Sequence, residues 1–505
     1  MIKLIYRIES DYMSKKRMLI VTSVTLSVVT ISLGIVKLYQ TYALSNYIGT
    51  VTDTGIDVYI NDDSYASIPA NGSSNVYYML TNTNPGTVKY GVAYQTTSGV
   101  TVKVYDTSED PATGTIEEND KKYIKLHLEN KNSTNKTIEL STVLGYENGG
   151  DLVVPSGVTL VTDTYTPPPT AAEYITKLYT TASKTTVTNN SITYNTAPSV
   201  SLMNDRLGGT TTDLDGGNIR YYGASPNNYI YFNCSDYSNQ TSSTCETWRI
   251  IGVFDGKLKL IRGSQIGTYS WDNKDTSTGA ESNFGKNDWT TARLMKLLNP
   301  SDYYTTDSND NNLGQGLYYN SASGKCYSGQ NNATVDCNFT STGIKNDITR
   351  NMIAETTYNL GGWNSNTVYP NLMYEKERGT TVYTGRPTTP WTGKIALAYP
   401  SDYGYAADLN QCKDKTLYDY NNSTCTSNNW MKAIITNNGS NSGWLLTPYC
   451  STSSNVWYVY PVGNVYFNYT VYSAFGAVPV LSLSSELGIE SGGDGSSSNP
   501  YKLSA

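Results

Sequence analysis

The sequence predicts three parts in series: an N-terminal transmembrane helix, an all-β sandwich, and a larger α+β unit. Three observations carry this reading. Residues 18–36 hold no charged side chain. Residues 50–162 alternate apolar and polar positions in short runs between turn residues, and residues 200–505 mix hairpin signals with short helical faces. At roughly 150 residues per domain, a chain of 505 residues has room for two or three such units, each with a real core.

The first element is the run MLIVTSVTLSVVTISLGIV. At about 1.5 Å of rise per residue it spans about 28 Å, close to a bilayer core of about 30 Å. Lys15, Lys16 and Arg17 precede it, which keeps residues 1–17 in the cytoplasm as a stub. The run is long for a cleaved leader, and Tyr42-Ala43-Leu44-Ser45 is a poor cleavage site, so an uncleaved signal anchor is expected. The chain is then a single-pass cell-membrane protein whose C-terminal part is extracellular.

The second element covers 50–162. Strands are expected at Asp57–Ile60, Val76–Leu80, Val88–Tyr94, Val100–Tyr105, Tyr123–Leu128, Ile138–Leu144 and Val158–Val161, with turns such as Asn148-Gly149-Gly150 between them. That number of short strands in such a length suits an immunoglobulin-like sandwich. The single histidine, His127, alternates with Ile124, Leu126 and Leu128 and so falls with Lys125 on the wetter face, as a surface strand residue.

Residues 163–199 read as a Pro-rich linker followed by a short helix. Tyr165-Thr166-Pro167-Pro168-Pro169 is extended and stiff, and Ala171–Tyr179 places Ile175 and Leu178 on one helical face.

The third element, 200–505, carries the strongest hairpin signal. Trp248–Phe254 and Lys257–Ile261 flank Asp255-Gly256, a pair that supplies the positive φ angles of a type I′ turn. Asn287-Asp288 caps a helix over Trp289–Leu298, a second helix is expected over Ile344–Glu355, and strands return at Lys394–Ala398, Trp444–Thr447 and through Val456–Leu483.

Cysteines fit an exported unit. Cys234 and Cys245, Cys326 and Cys337, and Cys412 and Cys425 each enclose a short polar stretch, and three local disulfides are the economical reading. Cys450 is left over.

Composition mostly excludes. A net charge of −7 makes the chain a poor partner for a phosphate backbone, so no nucleic acid is expected. One His removes most Ser-His-Asp, Cys-His and His-metal chemistry. No phosphate loop, nucleophile–base pair or ligand spacing appears, so no catalytic residue, metal or cofactor is expected. Trp271-Asp272-Asn273 reads as a turn rather than a calcium site.

The informative segment is CSTSSNVWYVYPVGNVYFNYTVYSAF, residues 450–475. Alternation places the Val and Trp set inward and turns Tyr458, Tyr460, Tyr466 and Asn468 outward. Phe467, Tyr469 and Tyr472, with Ser451, Ser453, Ser454 and Asn455, complete a candidate ligand-binding face. Tyr gives amphipathic contact area at low entropic cost, while Ser and Asn adapt their hydrogen bonding.

Trp248-Arg249-Ile250-Ile251-Gly252, Leu297-Leu298-Asn299, Trp444-Leu445-Leu446-Thr447-Pro448 and Gly476-Ala477-Val478-Pro479-Val480 follow one another in the order seen in C-type-lectin-fold proteins. The third unit thereby resembles the variable proteins of bacterial and phage diversity-generating retroelements. The resemblance implies a C-type-lectin-like fold, similar to that of formylglycine-generating enzymes, and a ligand-binding face rewritten at adenines, mainly within Asn codons. Such rewriting cannot reach Lys, Glu, Gln, Met or Trp; Cys450–Phe475 holds none of the first four, its single Trp457 stands at a constant-type position, and Cys450 is itself reachable from Asn. Leu446 and Val478 stand where relatives often carry Arg. The cysteine pair of the formylglycine-generating active site is lacking, because only Cys450 lies in that region. The implied function is adhesion or receptor binding to a protein or glycan on another cell, phage or host surface. The alternatives from other classes are a secreted carbohydrate-active enzyme and a structural surface-layer or pilus-like subunit.

Overall fold

The computed structural model describes the strand backbone at 39–43 and residues 64–83, 85–146, 152–305, 310 and 313–504. The apolar run 18–36 and the strand expected at Asp57–Ile60 lie outside the described residues. Among the described residues no helix is long and apolar enough to cross a membrane. The chain divides into two compact units, Met1–Pro168 and Pro169–Ala505, and is mostly β-sheet with few helices.

The first unit contains β1 (Tyr39–Ala43), β2 (Ser64–Ile68), β3 (Gly72–Thr81), β4 (Val88–Gln95), β5 (Val100–Tyr105), β6 (Thr113–Ile116), β7 (Lys121–Asn130), β8 (Lys136–Tyr146), β9 (Val158–Leu160) and β10 (Thr164–Tyr165). They form two five-stranded sheets, one in the order β1-β3-β7-β5-β10, the other β2-β8-β4-β6 with β9 also on β4. Alternation does the sorting. Val76, Tyr78 and Leu80 of β3 and Ile124, Leu126 and Leu128 of β7 share one core with Val88, Tyr90 and Val92 of β4 and Ile138 and Leu140 of β8. The buried hydroxyls of Tyr78 and Thr142 meet at 2.5 Å, so the Tyr78 tip is satisfied from the opposite sheet, and the Tyr90 hydroxyl donates to the Pro111 carbonyl at 2.9 Å.

His127 departs from expectation. Its parity is as read, opposite Ile124 and Leu126, but that side is covered. β10, drawn from the stretch read as linker, pairs with β5 and lays Tyr165 on the imidazole, ring centroids 3.6 Å apart. His127 is only 6% exposed, and Nδ1 lies 2.8 Å from Asn75 Oδ1. A strand added at the sheet edge turned a wet face into a dry one.

The second unit opens with the helix Ala171–Thr181, capped reciprocally by Thr170 and Glu173 and buried through Ala171, Ala172, Ile175 and Tyr179. Next come β11 (Thr185–Asn189), β12 (Ile192–Ala197), β13 (Leu202–Asn204), β14 (Ile219–Tyr221), β15 (Tyr229–Phe232), β16 (Glu246–Phe254), β17 (Lys257–Arg262) and β18 (Thr268–Tyr269). The β11–β12 hairpin falls within the stretch read as linker, and it forms one edge of this unit's nine-stranded sheet.

Further along are β19 (Ser323–Tyr327), β20 (Thr334–Asn338), β21 (Thr356–Tyr358), β22 (Trp391–Gly393), β23 (Ile395–Ala396), β24 (Gly443–Pro448), β25 (Val456–Val459), β26 (Val465–Tyr466), β27 (Phe475–Gly476) and β28 (Val480–Ser482). The large sheet runs β11-β12-β13-β14-β16-β17-β28-β23, with β15 also on β16, and a second, five-stranded sheet runs β18-β27-β24-β25-β26. At the β16–β17 turn Asp255 and Gly256 have φ of 49° and 71°, the left-handed pair that the Asp-Gly signal requires.

The helix expected over Trp289–Leu298 is a 3₁₀ turn, Trp289–Thr291, then an α-helix, Arg293–Leu298; Asp288 is its N-cap. Disulfides join Cys234 to Cys245, Cys326 to Cys337 and Cys412 to Cys425, leaving Cys450 free.

Strands β24 and β25 are buried on both faces. In β24, Trp444 and Leu446 enter one core cluster and Leu445 the other; in β25, Val456 and Tyr458 enter the first, Trp457 and Val459 the second. Period-two alternation here separates two cores rather than core from solvent.

Candidate functional site

Residues 449–475 form the end of the five-stranded sheet. β25 pairs with β24 on one side and β26 on the other, with Tyr458 opposite Tyr466 and Val459 opposite Val465. The tight turn between β25 and β26 needs Gly463, whose φ is 108° and where a Cβ would come within 2.7 Å of Thr426.

Of the residues expected to face outward, Ser451, Tyr460, Asn468 and Tyr469 are exposed, and Tyr460 and Tyr469 present 40% and 43% of their surface. Ser453, Asn455, Tyr466, Phe467 and Tyr472 are half-buried. Two residues contradict the reading. Tyr458 is fully buried, since its strand lies between two neighbours with a core on either side, and Ser454 is 8% exposed. The Tyr458 hydroxyl donates to Asn468 Oδ1, and burial pushes that phenol well above its ordinary pKa.

Around Tyr458 the rings form a continuous aromatic layer. Tyr469 lies 5.5 Å away, Phe475 5.2 Å, and Tyr466 6.5 Å between centroids. Phe467 stacks on Tyr449 at 4.1 Å with the planes 5° apart, and Tyr418, 39% exposed, stands 5.2 Å from Tyr466. Phe284, also exposed, lies 6.0 Å from Tyr472. Residues 449–475 contain no charged side chain, so contact here rests on ring area and neutral hydrogen bonds.

The loop that leads into β25 is held from behind by side chains outside the segment. Buried Asn287 donates through Nδ2 to the carbonyls of Tyr449, Thr452 and Asn455 at 3.0, 2.8 and 2.8 Å. Its Oδ1 accepts from Arg386 Nε at 3.0 Å, and Arg386 Nη2 donates to the Ser453 carbonyl at 2.8 Å. Glu281 completes the arrangement with a two-point pair to Arg386, at 2.6 and 3.1 Å. Every loop acceptor used by Asn287 and Arg386 is a backbone carbonyl, so their grip does not depend on which side chains the loop carries; within the loop the Thr452 hydroxyl accepts from the Asn455 amide at 3.2 Å. Asn455 differs, because its own Nδ2 donates to the Phe467 carbonyl at 2.9 Å.

Asn287 and Arg386 are missed by sequence reasoning. Asn287 reads as a helix cap, its carbonyl partners lie more than 160 residues away, and Arg386 lies 99 residues away. Tyr418 and Phe284 are missed for the same reason. Cys450 is half-buried, and burial pushes its thiol pKa up, so it remains protonated at neutral pH.

No family model, curated protein or solved structure matches the chain.

The second unit's buried carboxylates are ion-paired. Arg220 bridges Asp205 and Asp402, with Asp402 also paired to Lys259, and Asp310 is shared by Arg293 at 2.9 Å and Lys296 at 3.3 Å. Asp272 pairs with Lys274 at 3.0 Å, and Trp271 Nε1 donates to the Leu445 carbonyl at 3.1 Å, so Trp271-Asp272-Asn273 is a core anchor. Among the described residues no group of three His, Cys, Asp or Glu side chains is placed to hold a metal ion.

Proposed function

We propose that this chain is a surface-displayed ligand-binding protein, an adhesin or receptor, whose C-terminal unit is a C-type-lectin-like head carrying a variable face. The run 18–36 is its membrane anchor and the immunoglobulin-like sandwich its stalk. The observation that supports the reading is the pairing of an uncharged aromatic surface with a loop that Asn287 and Arg386 hold through its backbone carbonyls. Tyr460, Tyr466, Phe467, Asn468, Tyr469 and Tyr472 supply contact area and hydrogen bonds, and Tyr418 and Phe284 extend it. Asn287 and Arg386 grip carbonyls, which every residue type possesses, so side chains at 450, 451 and 453 can change while the loop keeps its shape. A retroelement that rewrites adenines in these codons would exploit that tolerance.

The test has two arms. The full chain is screened on glycan and bacterial-surface protein arrays, beside Tyr460→Ala and Tyr469→Ala variants. Capture lost in both variants at unchanged Tm supports binding through this face; capture unaffected by either sinks it. In the genome, an imperfect repeat of codons 450–480 beside a reverse-transcriptase gene, differing only at adenines, is the expected mark of diversification.

A further inference from the structure

We infer that a second ligand site, separate from the aromatic face, lies in a cavity of about 480 Å³ lined by Tyr229, Glu246, Arg249, Arg262, Trp430 and Ile434, and that it takes the carboxylate of a small organic acid or acidic sugar. The cavity shares no residue with 449–475, so this inference stands apart from the proposal above.

Arg249 carries the argument. It belongs to the Trp248-Arg249-Ile250-Ile251-Gly252 motif, and it is 6% exposed. A buried cation ordinarily meets an anion. Four other buried arginines of this unit do: Arg220 meets Asp205 and Asp402, Arg262 meets Glu246, Arg293 meets Asp310, and Arg386 meets Glu281. Among the described residues no carboxylate lies within ion-pair distance of Arg249. Its hydrogen-bond partners are neutral: Nε donates to Asn228 Oδ1, Nη2 donates to the Pro226 carbonyl at 3.3 Å, and the Tyr229 side chain is a further partner. The guanidinium lies 3.7 Å from the Tyr229 ring centroid and 4.9 Å from that of Trp430. Burial pushes its pKa down to about 10, so it is still charged at neutral pH. The chain therefore keeps a positive charge on the cavity wall without its counter-ion.

The chemistry of the occupant follows from the wall. The guanidinium lines the cavity with no carboxylate beside it among the described residues, and a planar fork of N–H groups matches the two oxygens of a carboxylate. Glu246 lines the same cavity. Its charge is matched by Arg262 Nε at 3.0 Å and Nη2 at 3.1 Å, which leaves one net positive charge, suited to a monoanion rather than a phosphate dianion. Trp430 offers an apolar wall, and Thr247, Ser264 and Asn438 offer hydroxyl and amide groups for the body of the ligand.

Calorimetric titration of the full chain with benzoate, glucuronate, glucose and inorganic phosphate tests this. Saturable binding of benzoate or glucuronate is expected, with glucose and phosphate inert; the tighter of the two acids distinguishes an aromatic acid from an acidic sugar. Arg249→Met should weaken acid binding about tenfold or more, the loss of one charge-assisted fork. Because that variant removes a packed side chain, Ala433→Trp is the companion: Ala433 is exposed, lines the cavity and leaves Arg249 in place, and filling the space should block the acids at unchanged Tm. No binding of either acid to the wild-type chain at about 10 mM, binding of phosphate in preference, or undiminished binding in a folded Arg249→Met or Ala433→Trp variant overturns the inference.

Discussion

Tyr458 and Tyr466 stand opposite one another across β25 and β26, ring centroids 6.5 Å apart, yet Tyr458 is sealed in the core while Tyr466 keeps a solvent-facing edge. The pair marks where the buried core ends and the exposed aromatic surface begins. Replacing Tyr458 by Ala removes a buried ring and its hydrogen bond to Asn468, so a loss of about 3–5 kcal/mol in denaturant unfolding is expected. Tyr460→Ala and Tyr469→Ala should each stay within about 0.5 kcal/mol of wild type. Equal stability for all three would remove Tyr458 from the core.

Asn287 and the Tyr449, Thr452 and Asn455 carbonyls form one unit. Asn287→Ala leaves those acceptors and Arg386 Nε short of a partner, costing about 1–3 kcal/mol. Hydrogen exchange should rise at the Tyr449 and Asn455 amides, which sit in that loop, and not at β16 or β17. Uniform loosening of the whole unit would deny Asn287 its local role.

Glu377 is fully buried, with the Ser401 amide donating at 2.8 Å and the Ser401 hydroxyl donating as well; Arg378 Nη1 lies 3.3 Å away. Burial raises its pKa from 4.5 to about 7. Between those values the folded unit holds a proton that the unfolded chain has released. Its contribution is therefore fully present below about 4.5 and is lost as pH rises towards 7. Glu377→Gln, which cannot ionise, should flatten this slope and gain about 3 kcal/mol at pH 8. An unchanged profile in the variant would place the slope elsewhere.

His127 acts with the opposite sign in the first unit. Burial beneath Tyr165 lowers its pKa from 6.5, opposed by Glu129 and aided by Lys103. The unfolded chain then binds the extra proton, so the stability of the sandwich should fall as pH drops through about 6.5. Unfolding at pH 7.5 and 5.5, compared with His127→Gln, measures it; the variant should lose the dependence in this window.

Periodicity and turn chemistry made much of this molecule legible in its sequence. Asp255-Gly256 determined a hairpin because few residue pairs accept two positive φ angles, and close cysteine spacing determined the disulfide loops because a short chain segment brings its ends together at low entropic cost. Alternation determined the side of β25 to which Tyr458 points and the side of β7 to which His127 points. It did not determine what waits on that side. Packing of a second cluster behind β25 buried Tyr458, and β10 buried His127 beneath Tyr165. The grip of Asn287 on a loop beyond residue 448, the aromatic layer joined by Tyr418 and Phe284, and the unpaired charge of Arg249 in its cavity were likewise decided by tertiary structure. A local pattern reports the direction of a side chain, whereas burial and partnership depend on segments that meet only when the chain has folded.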